Sequence, residues 1–140
     1  MVPLTTGTLI MAITALFVTI GTFMADYNET HIKNPRWPPH AKFHNGQTMT
    51  LSIVTTLLTL YYLFRPIPLS RNSPPSTIQA VRRNDLFTAA LIGSIYCATA
   101  LSGILYPGTA GTDPEFGEGF PQKWLFSGLI TLNWVGWWLA

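Results

Sequence analysis

The chain has 140 residues, of which 48% are hydrophobic and only 10% charged, and its formal net charge is +2. Ordinary soluble domains carry about 25% charged residues, so these charges are too few to cover a globule with a solvated surface, and membrane residence is the first reading. So small a net charge gives no electrostatic footprint for nucleic acid, and no phosphate loop, dinucleotide fingerprint or Ser-His-Asp signature is present.

Four charge-free segments follow in order: residues 4–24, 46–64, 86–106 and 124–140. A helix needs about 20 apolar residues, within a range of about 17–25, to cross the hydrocarbon core. All four fit, the last only just. The first two are rich in β-branched residues, but a spanning segment must satisfy its own backbone, so helix wins over strand. The chain therefore reads as all-α, a four-transmembrane-helix bundle forming one integral membrane domain over 1–140. The N-terminal segment lacks a basic leader and a small-x-small cleavage site, and is read as a retained first helix. Cys97 is the one cysteine, so no disulfide framework exists and a packing role is expected of it.

Four spans place both termini and the loop 65–85 on one side, and the loops 25–45 and 107–123 on the other. Arg65, Arg71, Arg82 and Arg83 face Lys33, Arg36, Lys42 and Lys123, a tie on the Lys/Arg rule for orientation. The N-terminal amine tips it toward cytosolic termini. Asn28-Glu29-Thr30 is a glycosylation sequon on the opposite face, too close to the membrane to be a good acceptor. The acids are not tied. Asp26, Glu29, Asp113, Glu115 and Glu118 share the side of His31, His40 and His44, and only Asp85 lies opposite. Juxtamembrane ionisable groups gathered on one side point to function there.

The run NPRWPPHAKFHNGQT, residues 34–48, joins the first two spans. Residues before proline are pushed toward extended backbone, and proline suits a first helical turn. An extended strap over 34–37 and a second helix from Pro38 or Pro39 to about Phe64 are expected. His40, His44 and Gln47 then fall at i, i+4 and i+7 on one face. Thr22, Asp26 and Glu29 do the same on the first helix, so carboxylates, imidazoles and Arg36 can meet in one pocket at the membrane boundary. Three chemistries suit it. Acid/base catalysis needs a His–carboxylate pair near neutral pKa. Metal binding would use His40 and His44, although Lys42 between them disfavours a cation. An anionic head group would take Arg36, Lys42 and the histidines, with Trp37 as interfacial anchor.

Loop 107–123 is rich in glycine and proline and reads as a turn-filled lid. Asp113, in TDPE, is its preferred catalytic acid and also a good turn or cap residue. Residues Ala89, Gly93 and Cys97, beside Ser94, Ala98 and Ser102, form small-residue rows that favour close helix packing. In the last segment Asn133 must be paired to be tolerated, so it faces the bundle or a cavity together with Trp137. The late tryptophans also suit an interfacial belt.

The run at 34–48, following MADYNETHI and opening a span, resembles a family of small four-helix membrane proteins of fungi with bacterial relatives. Their function is mostly unassigned, and some accompany secondary-metabolite genes. The resemblance implies a fungal origin and a role in tailoring a lipophilic natural product. A fainter likeness is to sterol isomerase and related membrane cyclases, in which His40/His44 and Asn133/Trp137 would be the analogous groups. This chain departs from them in having four spans and in carrying His44 where an acid is expected.

The leading expectation is a membrane enzyme without redox cofactor or metal, acting by acid/base chemistry on a small lipophilic substrate in epoxide opening, cyclisation or isomerisation. Asp26, Glu29, His40, His44 and Asp113 would be catalytic, and Arg36, Trp37, Gln47, Asn133 and Trp137 would hold substrate. The endoplasmic reticulum is the expected membrane, with a homo-oligomer or a partner membrane enzyme as company. The alternatives are a non-catalytic helper subunit or lipid binder, and a metal or haem site at His40/His44.

Overall fold

The computed structural model describes residues 4–67, 70 and 73–140. Among these the chain is all-helical: α1 (Thr6–Asp26), α2 (Pro39–Phe64), α3 (Pro75–Ser102) and α4 (Gln122–Leu139), with short 3-10 turns at Gly103–Leu105 and Pro114–Phe116. The helices form a ring in chain order. Each packs on the next, α4 closes against α1, and α1 and α3 touch only across the diagonal. α1, α2 and α3, the last extended through Leu105, are long and apolar enough to cross a membrane.

Local chemistry sets the helix ends. Thr5 and Thr8 form a reciprocal capping box that opens α1, with the Thr8 N–H donating to Thr5 Oγ1 at 3.1 Å and the Thr5 N–H to Thr8 Oγ1 at 3.0 Å. Prolines occupy the first turns of α2 and α3, where a missing N–H removes no helical bond. At the end of α1 the Asn28 amide donates to Met24 O and Ala25 O at 2.9 and 3.0 Å, closing carbonyls that the helix leaves open.

Three sequence expectations change. The third helix starts at Pro75, eleven residues before the predicted 86, and takes Arg82, Arg83 and Asp85 into its first turns. Their charges find partners or the helix surface, so a purely apolar window cuts the helix short. Arg71, counted in that loop, lies outside the described residues. The expected strap at 34–37 is a set of turns rather than an extended segment. Buried Asn34 organises it, its side-chain oxygen accepting from the Arg36 N–H at 2.9 Å, an Asx turn. The fourth predicted span, 124–140, forms an 18-residue helix that is not long and apolar enough to count as a membrane crossing. Gln122, Lys123 and Asn133 lower its hydropathy, and at about 1.5 Å per residue it falls short of the roughly 30 Å core.

Lipid offers no hydrophobic force between helices, so small side chains and polar contacts must hold them. On α1 the buried positions Thr8, Met11, Ala15, Val18 and Thr22 repeat at alternating three- and four-residue steps. Asn45, Met49, Ser52, Thr56, Thr59 and Leu63 repeat the same way on α2. These are heptad seams. Most threonines bond back to their own helix, as Thr22 does to Val18 O at 2.7 Å and Thr55 to Leu51 O at 2.9 Å. Thr19 and Thr56 instead tie α1 to α2. The Thr19 hydroxyl donates to Ser52 O at 2.9 Å and lies 2.8 Å from Thr56 Oγ1, while the Thr56 hydroxyl donates to Ala15 O at 2.7 Å. Between α3 and α4 the buried Asn133 amide donates to Ala90 O at 2.7 Å and to Ser94 Oγ at 3.1 Å. Gly93 leaves the room for it, since a Cβ there would stand 3.2 Å from the Asn133 amide. Ala89, Ala90 and Cys97 are buried around this contact.

The closest approach is between α1 and α4. A Cβ on Gly7 would fall 2.3 Å from Gly136 O and from Ala140 N, and one on Gly136 would fall 3.0 Å from Gly7 O. At the far end of α2, Arg65 grips the buried Asp85 of α3 with Nε at 2.8 Å and Nη2 at 2.5 Å. Arg82 Nη1 donates to Leu63 O at 2.7 Å, capping α2 from its neighbour. The bond to Asp85 raises the Arg65 pKa above its already high ordinary value. A cation with a raised folded pKa contributes stability below its unfolded value and loses it only as pH rises through the folded one. Loss of the Arg65 proton therefore does not break this ion pair at any workable pH.

Two predictions follow from this packing. Gly136→Val should lower stability by about 1–3 kcal/mol or more by overpacking, whereas Gly46→Ala, in open space, should be neutral or stabilising by up to about 1 kcal/mol. Thermal unfolding in detergent reads both, and equal melting temperatures would refute the close crossing. Arg65→Gln should strand the Asp85 carboxylate and lower the melting temperature more than the Arg65→Gln/Asp85→Asn double variant does, because an unpaired buried charge costs more than a missing pair. Simple additivity of the single variants would show that the two groups are not coupled.

Candidate functional site

The structure places the expected site residues in four different settings. His40, His44 and Gln47 do share one face of α2, with His44 Nε2 3.0 Å from His40 Nε2 and His44 Nδ1 3.3 Å from Gln47 Oε1. That face is exposed, and none of the three side chains bonds to Asp26 among the described residues. The expected aim of these three side chains at Asp26 and Glu29 is therefore corrected. The inward seam of α2 begins at Asn45, one residue and about 100° around the helix from His44. Glu29 is also exposed.

The second setting is the loop cover. Arg36 forms an ion pair with Glu115, tying the first loop to the third. Asp113 is exposed and accepts from the Phe116 N–H at 2.9 Å, opening the short turn at Pro114–Phe116. It serves there as a turn residue. Trp37 packs edge-on against His31, with ring centroids 4.9 Å apart. The lid is folded on itself: Thr112 donates to Gly117 O at 2.7 Å, the Gln122 amide reaches Gly111 O, and Gly117 and Gly119 take positive φ angles of 113° and 104°, a backbone region open to glycine.

The third setting is remote from the histidines. Asn133 spends its amide on α3, as its expected pairing requires. Trp137 lies near the C-terminal end of α4, in an edge-to-face cluster with Trp134 and Phe87. α4 runs away from the histidine loops, so these two residues do not join His40 and His44 around one cavity.

The fourth setting is a cluster that includes Asp26 together with residues outside the predicted set. The Asp26 carboxyl ends α1, half-buried, with the His31 ring within electrostatic reach and Asn45 beside it. Tyr96, buried on α3, neighbours Thr22 and feels the Asp26 charge. Asn45 is buried and its Oδ1 has no hydrogen-bond partner among the described residues. Such an orphaned acceptor calls for a ligand or a water. Turn contacts also orient His31. Thr30 Oγ1 stands 2.6 Å from Asn28 Oδ1, which can only accept, and 2.7 Å from His31 Nδ1. The single hydroxyl proton goes to Asn28, so Nδ1–H of a neutral ring donates to Thr30 and Nε2 keeps its lone pair.

Asn45 was legible as the first position of the polar heptad seam on α2, a period that the histidine spacing obscures. Tyr96 left no comparable signal within a charge-free span. Two open basins flank the bundle. One of about 940 Å³ runs between α2 and α3 and includes Lys42, Phe43, Gln47, Leu51 and Tyr96 in its lining. Another, of about 1080 Å³, lies at the opposite end among Phe64, Ile78, Arg82, Arg83, Trp137 and Trp138. Among the described residues no three His, Cys, Asp or Glu side chains converge to hold a metal ion.

No curated protein and no solved structure matches the chain. Residues 10–140, from within α1 to the last residue, match the sequence model of a family of unknown function (DUF6640), and the chain belongs to that family.

Proposed function

We propose that this protein is a membrane-embedded enzyme that moves protons on a small lipophilic substrate at the cluster of Asp26, His31, Asn45 and Tyr96. The observation that carries the reading is the convergence of these groups from α1, the first loop, α2 and α3 at one mouth of the bundle, around the unpartnered Asn45 Oδ1. Ionisable groups held at a membrane boundary mark function more often than scaffold. Neutral His31 offers Nε2 as the base. Asp26 stabilises the imidazolium that forms, and the same ring returns the proton to another atom of the substrate, so no net proton is consumed. Asn45 Oδ1 accepts from a substrate hydroxyl, and the Tyr96 hydroxyl steadies developing charge. The groove between α2 and α3, which Tyr96 helps to line, is the lateral entrance from the bilayer. Isomerisation and cyclisation that move a proton on or off carbon proceed through such transfers without oxidation.

The same reading carries a wider setting. α4 lies beside α1 and α3, against which it packs, and completes the bundle that the three longer helices carry into the bilayer. The resemblance of the run at 34–48 supports a fungal secondary-metabolic context, in the endoplasmic reticulum with cytosolic termini, as a homo-oligomer or beside a partner membrane enzyme. A second reading, a non-catalytic helper subunit, draws support from the outward row of His40, His44 and Gln47, which a partner would cover.

Hydrogen exchange separates the two without knowledge of the substrate. Membranes containing the protein are incubated in heavy water with a lipophilic extract of cells lacking it, and the extract is searched by mass spectrometry for protein-dependent deuterium uptake at carbon. Asp26→Asn and His31→Gln should each reduce uptake by roughly 10²- to 10⁴-fold, while His40→Gln and His44→Gln leave it essentially unchanged. Protein-independent uptake, or loss confined to the His40 and His44 variants, would overturn the proposal.

A further inference from the structure

We propose that the basin at the other end of the bundle, where α2 ends and α3 begins, binds an anionic membrane lipid carrying a phosphate monoester. Its phosphate would sit on Arg82 and Arg83 and its acyl chain along the apolar floor. This site is independent of the Asp26 cluster.

Charge complementarity is the first argument. Asp85 is the single acid of α3 and of the segment that precedes it, and Arg65 already neutralises it. Arg83 is exposed and has no hydrogen bond or ion pair among the described residues. Arg82 is held in place by Nη1, which donates to Leu63 O at 2.7 Å, and its guanidinium forms no ion pair among those residues. Both arginines line the basin, with Gln79 one turn before Arg83. Two guanidinium forks match the oxygens of a phosphate monoester better than the pair of oxygens on a carboxylate.

The floor is the second argument. Phe64, Ile67, Ile78, Leu86 and Trp137 supply apolar surface in the same basin as the cations. The basin, about 1080 Å³, lies just above the roughly 300–1,000 Å³ typical of ligand sites. A soluble phosphate gains nothing from that floor, whereas a lipid uses both halves. The depth also fits. Cations near the start of a spanning helix sit at head-group level, with Trp138, which is 79% exposed, as the interfacial aromatic. Finally, the walls are rigidly placed. The Arg65–Asp85 pair joins α2 to α3, and the Gly7–Gly136 crossing anchors the end of α4. A preformed site loses less entropy on binding.

Native mass spectrometry of the protein released from phosphatidylcholine vesicles doped with phosphatidic acid tests the proposal. Wild-type protein should retain phosphatidic acid in preference to phosphatidylcholine. Arg83→Gln, at an exposed and unpaired side chain, should keep the wild-type melting temperature and reduce that retention roughly tenfold or more, the equivalent of about 1.4 kcal/mol. His40→Gln should leave it unchanged, and glycerol 3-phosphate, the head group without chains, should not displace the lipid. Equal retention of the two lipids, undiminished retention by Arg83→Gln, or displacement by glycerol 3-phosphate would overturn it. In the first case the arginines and tryptophans would be an unselective interfacial belt, and in the last the site would be one for soluble phosphate.

Discussion

The architecture depends on a backbone contact. α1 and α4 meet where Gly7 and Gly136 let the two backbones approach closely, with Met11 packed beside Gly136. Lipid tails solvate leucine as well as another helix does, so apolar area alone gives two helices little reason to associate. Close approach restores one, because dispersion and weak polar contacts between backbones grow steeply at short range. Closing α4 onto α1 turns a chain of antiparallel helices into a ring. The ring then decides which faces are inside.

Polar contacts complete what close approach begins. Thr19 and Thr56 join α1 to α2, Asn133 joins α4 to α3, and Arg65 joins α2 to α3 through Asp85. Each link uses a group that would be costly in hydrocarbon without a partner. The groups that stabilise the bundle are therefore the same polar residues that interrupt its apolar segments. What distinguishes a functional candidate is a polar group left over after this pairing, and Asn45 Oδ1 and Arg83 are two such groups, one at each end.

The two ends differ in chemistry. The loop end collects five of the six acids and all three histidines, and its loops are tied together by Arg36 and Glu115. The other end holds arginines, with its one acid already neutralised. Opposite charge at opposite ends of a short bundle suits a protein that presents different surfaces to the two sides of a membrane. It also separates the proton-transfer proposal at one end from the lipid-binding proposal at the other.

Hydropathy and spacing were enough to establish helices, their number and the end at which titratable groups gather, because those follow from composition and from distance along the chain. The start of α2 at Pro39 was equally legible, since proline favours a first turn. The start of α3 was not, because Asp85 and Arg82 are accommodated by partners on α2 that lie far away in sequence. The periodicity of His40, His44 and Gln47 correctly put them on one face, yet spacing says which residues share a face and not which way that face turns. A step of one residue rotates a helix by about 100°, so Asn45 could replace His44 as the inward group without any change in local pattern. Only the packing of α1 and α3 on either side of α2 selected that rotation, and with it brought Asp26, His31, Asn45 and Tyr96 together.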